Sequence, residues 1–176
     1  MAPEKLDQLR AAVRDVPDFP KPGIVFKDIT PLLADPAVFR VAIDAFVDAT
    51  RFLNANKIVG IDARGFLFGA PVAYALGLGF VPVRKRGKLP AKCESAAYQL
   101  EYGEAVVEMH TDALLPGERV VLIDDLLATG GTAAAAVKLI EKMGGLVVEL
   151  QFLIELTFLG GRKHLAGRAV RGLIAY

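Results

Sequence analysis

Val120-Val121-Leu122-Ile123-Asp124-Asp125-Leu126-Leu127-Ala128-Thr129-Gly130-Gly131-Thr132 passes from an apolar strand through two carboxylates into a glycine-threonine turn, and the turn opens directly into a helix. An apolar run of this kind, followed by a polar turn and a helix, is one repeat of a layered strand-helix fold. The turn also carries chemistry. Two glycines and two threonines at a helix N-terminus let backbone N–H groups and hydroxyls close around a phosphate, whose charge the helix dipole favours. Asp124 and Asp125 would repel a phosphate, so they suit neutral hydroxyls or a divalent cation. Phosphate on one side and a diol on the other describes a phosphorylated ribose. The plainer alternative is a capped helix after a strand whose end carries two solvated aspartates. The stretch contains neither Gly-x-x-x-x-Gly-Lys-Ser/Thr nor Gly-x-Gly-x-x-Gly, so it is neither a Walker loop nor a dinucleotide fingerprint.

The alternation continues on both sides. Lys57 to Ile61 reads as a buried strand, Gly65 to Leu76 as a helix, Phe80 to Val83 and Val120 to Ile123 as strands. Gly131 to Met143 reads as a helix closed by Gly144-Gly145, with strands at Leu146 to Ile154 and Ala169 to Ala175. This spacing predicts an α/β fold: a mostly parallel sheet covered by helices on both faces, with ligands outside the carboxyl ends of the strands. Arg84 to Glu94 reads as a basic loop, and Ser95 to Tyr102 and Ala105 to Met109 as an inserted antiparallel pair meeting at Gly103. Near the start, Glu4 to Arg14 places Leu6, Leu9 and Val13 on one helical face, after which Pro17, Pro20, Pro22 and Gly23 predict an extended loop up to Ile24. Asp35-Pro36 opens the clearest amphipathic helix, with Val38, Ala42, Ala45, Phe46 and Ala49 inward.

Composition narrows the class. The 176 residues are 53% hydrophobic, with 21 Lys plus Arg against 20 Asp plus Glu. A chain of this length buries roughly 70% of its extended surface, so one domain over residues 1–176 is expected to hold a core without disulfide or metal. The balance of +1 disfavours nucleic acid or membrane as a partner held by bulk charge. A single cysteine, Cys93, and no signal-peptide pattern lead to a reducing, cytoplasmic expectation. Phe66 to Val83 has no charged residue over 18 positions, yet Pro71, Gly77, Gly79 and Pro82 divide it into helix, turn and strand.

The thirteen residues from Val120 to Thr132 resemble the binding motif of type I phosphoribosyltransferases, which hold 5-phospho-α-D-ribose 1-diphosphate (PRPP). Asp18-Phe19-Pro20-Lys21-Pro22-Gly23-Ile24-Val25-Phe26, Ala63-Arg64-Gly65-Phe66-Leu67-Phe68-Gly69, Arg84-Lys85-Arg86-Gly87-Lys88-Leu89-Pro90 and Leu100-Glu101-Tyr102-Gly103 are similar to the adenine phosphoribosyltransferases in particular. The resemblance implies the type I phosphoribosyltransferase fold, with a small N-terminal hood over about residues 1–35 and a flexible loop on the strand pair at about 84–110. It implies transfer of the phosphoribosyl group from PRPP to N9 of adenine, giving AMP and pyrophosphate in purine salvage. Mg2+ is the implied cofactor, held mainly through PRPP and water with no direct protein ligand, and a homodimer is the implied assembly.

The implied roles follow the motif positions. Asp124, Asp125, Ala128, Thr129, Gly130, Gly131 and Thr132 bind the ribose and 5'-phosphate, and Asp62, Ala63, Arg64, Arg84 and Lys88 the diphosphate, with Arg64 counted as catalytic. A guanidinium grips a diphosphate bidentately, and a cationic loop can close on substrate; the alternative for the loop is a solvated basic flank. The family often has a cis peptide in the turn at 62–63, although no proline follows. Adenine is sandwiched between an aromatic and an aliphatic residue, here Phe26 and Leu156, with backbone groups near Val25 and Lys27 reading its amine. Lysine stands at 27 where the family more often has arginine, and Phe26 and Leu156 also read as ordinary core residues. Glu101 is the implied proton-transfer residue; its alternative is a hairpin carboxylate facing water, like Glu104. His110 and His164 have no metal-ligand spacing, and Cys93 reads as a free thiol.

Two rival functions bracket this reading. One is a phosphoribosyltransferase for a 6-oxopurine or orotate, which the Glu101-Tyr102-Gly103 segment and the adenine clamp disfavour. The other is a PRPP-sensing regulator that binds nucleic acid, for which the 17 residues before Asp18 are too few to form a DNA-binding domain.

Overall fold

A computed structural model describes residues 2–99 and 104–176. The chain forms two compact units, Met1–Ala45 and Phe46–Tyr176.

In the first unit, α1 (Pro3–Ala11) starts with proline at its first turn and buries Leu9. It ends before Arg14, because Arg14–Pro17 forms a strand, β1, that pairs antiparallel with β2 (Val25–Asp28). The proline-rich stretch is therefore not all loop. Pro17 occupies the end of the ladder opposite Val25, where a missing N–H is tolerated on a strand that lacks a second neighbour. Gly23, at φ +87°, donates its N–H to Asp18 Oδ1 at 2.7 Å and closes the connection. Asp28 ends β2 and accepts from Arg14 Nε at 3.0 Å and from the Thr30 N–H at 2.9 Å. The Thr30 backbone bond first, and then Arg14, lower the Asp28 carboxyl to about 2. A one-turn helix, α2 (Thr30–Ala34), follows, and then α3 (Pro36–Thr50). Asp35 Oδ1 caps α3 by accepting the N–H groups of Ala37 at 2.8 Å and Val38 at 3.2 Å.

The second unit is built on a sheet of seven strands: β3 (Lys57–Ile61), β4 (Gly79–Lys85), β5 (Cys93–Gln99), β6 (Glu104–His110), β7 (Arg119–Leu127), β8 (Leu146–Glu155) and β9 (Val170–Ala175). Their spatial order is β5-β6-β4-β3-β7-β8-β9. Strands β4, β3, β7, β8 and β9 are mutually parallel, and the β5-β6 pair adds antiparallel to the β4 edge. This is the mostly parallel sheet with an inserted pair that the sequence pattern predicts. One extra residue on β8 shifts its register with β7 between Val120, opposite Val147, and Val121, opposite Glu149.

Strand alternation sorts the two faces. Val59, Ile61, Val120 and Leu122 join Ala133, Ala136, Leu139 and Ile140 of α5 (Gly131–Lys142) in one buried cluster. On the opposite face Gly60 lies under the Phe80 ring, and Phe66 of α4 (Arg64–Leu76) meets Phe80 edge-on at 5.5 Å. Truncating a fully buried side chain such as Leu122 to alanine would cost about 2–5 kcal/mol. The charge-free run from Phe66 to Val83 is shared between α4 and β4; Pro71 sits inside α4, and Gly77 at φ +66° ends it. No helix among the described residues is long and apolar enough to cross a membrane.

Candidate active site

The carboxyl ends of β3 and β7 open onto one cleft of about 270 Å3. The first wall comes from the turn after β3. Asp62, Ala63 and Arg64 line the cleft, and the Asp62-Ala63 peptide is cis. Gly65 lets this turn approach β7, since a Cβ there would lie 2.7 Å from the Ile123 carbonyl oxygen and 3.0 Å from Asp124 Oδ1. Only a residue without a side chain fits, which gives the Arg64-Gly65 step of the sequence a packing reason.

The second wall is β7 and its continuation: Asp124, Asp125, Ala128, Thr129, Gly130, Gly131 and Thr132 all face the same cleft. The turn from β7 into α5 ends at Gly130, which is left-handed at φ +85° and caps α5. The first-turn N–H groups of α5 have no acceptor within the helix, so they are the donors offered to an anion. A Cβ on Gly130 would collide with the Gly161 carbonyl, and a Cβ on Gly161 with the Ala128 carbonyl. Gly161, in a short 3-10 helix (Gly161–Leu165), thus supports the turn from behind. The two glycines lie too far apart in sequence for a local pattern to have linked them.

Electrostatics distinguish the two carboxylates from ordinary surface groups. Asp125 is 6% exposed and pairs with Arg64 Nε at 2.6 Å, while Asp124 Oδ1 accepts the Asp125 N–H at 2.9 Å. Burial first, and then the Asp125 charge, hold the Asp124 carboxyl well above the usual carboxylate range. Burial also raises Asp125, and Arg64 opposes that shift. Arg64 therefore neutralises one of the aspartates expected to face the sugar, a contact between two motifs that were read separately.

The basic segment is placed differently from its sequence reading. Arg84 and Lys85 belong to β4, and the register Arg84–Glu108 and Lys85–Val107 with β6 shortens the expected loop at both ends. Arg84 Nε donates to Asp62 Oδ2 at 2.9 Å and a second guanidinium nitrogen to the Lys88 carbonyl at 2.9 Å, so it buttresses the turn after β3. Lys85 and Tyr98 line the cleft; Arg84 and Lys88 are absent from its described lining. Strand alternation would have found Lys85 had residue 85 been read as strand. Glu101, with Tyr102 and Gly103, lies outside the described residues.

The residues assigned to the base fall in both units. Phe26 packs edge-on against Phe19 at 5.2 Å, Val25 is half exposed, and Lys27 Nζ pairs with Asp15 at 2.6 Å. Leu156 follows β8 directly, is half-buried, and donates its N–H to the Leu127 carbonyl at 2.9 Å. Among the described residues no group of three or more His, Cys, Asp and Glu is placed to hold a metal ion. Cys93 is an unbridged thiol; burial and then the Glu108 charge push its pKa up, which disfavours the reactive thiolate.

Residues 30–165 match the family model described as a phosphoribosyl transferase domain. The adenine phosphoribosyltransferase of Acidothermus cellulolyticus is 56% identical over 99% of this chain and 99% of its own length. The crystal structure of adenine phosphoribosyltransferase from Thermoanaerobacter pseudethanolicus superposes with a TM-score of 0.94 at 53% identity, covering 97% of this chain and 99% of that one. The Saccharomyces cerevisiae enzyme, solved with D-2,5-dideoxy-2,5-imino-altritol 1,6-bisphosphate and adenine, gives 0.93 at 41% identity over 98% and 99% of the two chains. With a glycine-threonine turn, a carboxylate pair and an arginine-bearing turn gathered at one cleft, and with relatives matched along nearly their whole length, the chain belongs to the adenine phosphoribosyltransferase family of pentosyl-transferring enzymes.

Proposed function

We propose that the protein transfers the phosphoribosyl group of PRPP to N9 of adenine, releasing AMP and pyrophosphate. The observation that carries the reading is the cleft at the ends of β3 and β7, which combines anion donors at the start of α5 with the Asp124-Asp125 pair and Arg64. The 5'-phosphate binds at Ala128 to Thr132, and Asp124 and Asp125 accept the ribose hydroxyls. Arg64 carries five N–H donors, enough to hold Asp125 and a diphosphate oxygen together. Arg84 holds Asp62, and through it the turn at 62–64, while Lys88 supplies charge at the same end. As the C1–O bond to pyrophosphate breaks, the C1–N9 bond forms and Glu101 takes the proton released from N9. Phe26 and Leu156 contribute apolar contact to the base, and backbone groups at Val25 and Lys27 read its amine.

Mg2+ fits this donor set as an ion that arrives with substrate, because it prefers phosphate oxygens and water to an all-protein cage. Asp124 and Asp125 would accept hydrogen bonds from its waters. Its chemistry there would be charge neutralisation of the diphosphate. The same reading takes the protein as a homodimer in the cytoplasm, the compartment that suits a single unbridged cysteine.

The test is an assay with adenine, PRPP and Mg2+, reading AMP and pyrophosphate, with parallel reactions lacking Mg2+ or offering hypoxanthine, guanine or orotate. AMP is expected only from adenine with Mg2+; no AMP under those conditions overturns the proposal. Glu101→Ala should lower turnover by about 10²-fold or more with PRPP binding nearly intact. Wild-type turnover in that variant would remove Glu101 from the chemistry.

A further inference from the structure

We propose that Glu155 and Arg162 form a positioning clamp that fixes the phosphate turn and Leu156 in one spatial relation, and so sets the affinity for both substrates together. The inference rests on the function proposed above and adds two residues that the motifs do not contain. Neither is among the residues described as lining the cleft.

Glu155 is the last residue of β8 and is 6% exposed. Its carboxylate accepts Arg162 Nε at 2.6 Å and a terminal guanidinium nitrogen at 2.7 Å, a two-pronged contact that fixes orientation as well as distance. A further Arg162 nitrogen donates to the Val170 carbonyl at 2.9 Å, at the start of β9. Gly172 on β9 leaves room for this arrangement, since a Cβ there would lie 2.9 Å from both Glu155 Cβ and Oε2. The ion pair has one seat.

Each partner adjoins a residue that touches the site. Glu155 precedes Leu156, whose N–H bonds to the Leu127 carbonyl. Arg162 follows Gly161, whose backbone lies against Ala128 and Gly130 with no space for a Cβ on either side. The contacts therefore close a ring: Leu127 to Leu156, Glu155 to Arg162, Gly161 to Ala128. Between Leu156 and Gly161 the chain is tied by backbone bonds from the Leu159 N–H to the Leu156 carbonyl and from the Gly160 N–H to the Thr157 carbonyl, and the ion pair adds the side-chain link that spans this segment. A cleft that must hold a phosphate at one end and a base at the other is sensitive to that relation, because the two ends bind well only when held within about 0.5 Å of their productive positions.

Removing Arg162 alone would strand the buried Glu155 carboxylate, so the main test replaces both. Glu155→Met with Arg162→Met exchanges this pair, buried at Glu155 and half exposed at Arg162, for apolar side chains, a change often neutral for folding. In the full chain we expect a melting temperature within a few degrees of wild type, KM for PRPP and for adenine each raised about tenfold, and kcat within about twofold. A folded double variant with both KM values unchanged overturns the clamp. Arg162→Lys gives an independent readout: it keeps the charge but loses the planar fork, and should raise both KM values about threefold. Unchanged values there overturn the proposal equally, even if the double variant fails to fold. Wild type run in parallel separates the two inferences, since absence of AMP from wild type defeats the proposed function, whereas AMP from wild type with unaltered variants defeats only the clamp.

Discussion

Asp28 at the end of β2 and the Asp124-Asp125 pair on β7 are carboxylates placed near strand ends, and their surroundings drive them in opposite directions. Asp28 receives a backbone N–H from Thr30 and the Arg14 guanidinium, and its carboxyl falls to about 2. Asp124 is buried beside a second carboxylate, and its carboxyl rises. The first is a finished structural contact, with donors matched to its charge. The second sets two carboxylates side by side in a buried place, which costs stability and suits the proposal that the pair accepts the hydroxyls of a sugar. Opposite shifts of this kind are what the proposed function expects of a carboxylate that holds the fold and of a pair that serves a ligand.

The contrast can be broken most strongly at the cleft. Asp124→Asn or Asp125→Asn should lower kcat/KM for PRPP about 100-fold in steady-state assays, the scale of one or two lost charged hydrogen bonds. Undiminished kcat/KM would mean that the pair does not hold the ribose. A smaller effect, of opposite sign at the two places, is expected in thermal melts near neutral pH. Asp28→Asn should lower the melting temperature, and Asp124→Asn, which keeps Oδ1 as acceptor for the Asp125 N–H, should raise it, each by a few degrees. Equal signs would erase the distinction.

The smallest effect is in pH dependence. Stability lent by Asp28 is full above the unfolded carboxylate value of about 3.9 and is lost as pH falls through about 2. The raised pair behaves in reverse: its contribution is full below about 3.9 and is lost as pH rises through the native value. Asp28→Asn should therefore flatten the acid limb of a stability–pH curve, and Asp124→Asn the decline on the neutral side. Melts collected from pH 2 to pH 8 would show either limb unchanged if the assignment is wrong.

Much of this was legible in the sequence because the relevant signals are local. The run from Val120 to Thr132 named its own strand, turn and helix, and β3 matched its predicted ends at Lys57 and Ile61. What escaped depends on partners distant in the chain. Arg14 reads as the end of a helix and Pro17 as part of a proline-rich loop until Val25 to Asp28 supplies a ladder. Lys85 reads as loop until β6 pairs with it. The Arg64–Asp125 contact joins two residues that the motifs give separate roles, and the Glu155–Arg162 contact joins two that no motif contains. Five residues of α2 are too few to show a helical period.

The extra residue on β8 sets the phase of everything beyond it. Counting on from Val120–Val147 without a bulge would bring Leu127 opposite Ile154, whereas the bulge brings it opposite Glu155. Were the strand to pair without the bulge, Ile154 would stand opposite Leu127 and its two faces would exchange, turning the Glu155 carboxylate away from Arg162 and presenting Leu156 from the wrong side. A single inserted residue, eight positions before Leu156, thereby works as the timing mark that sets which face of the strand carries the proposed base contact.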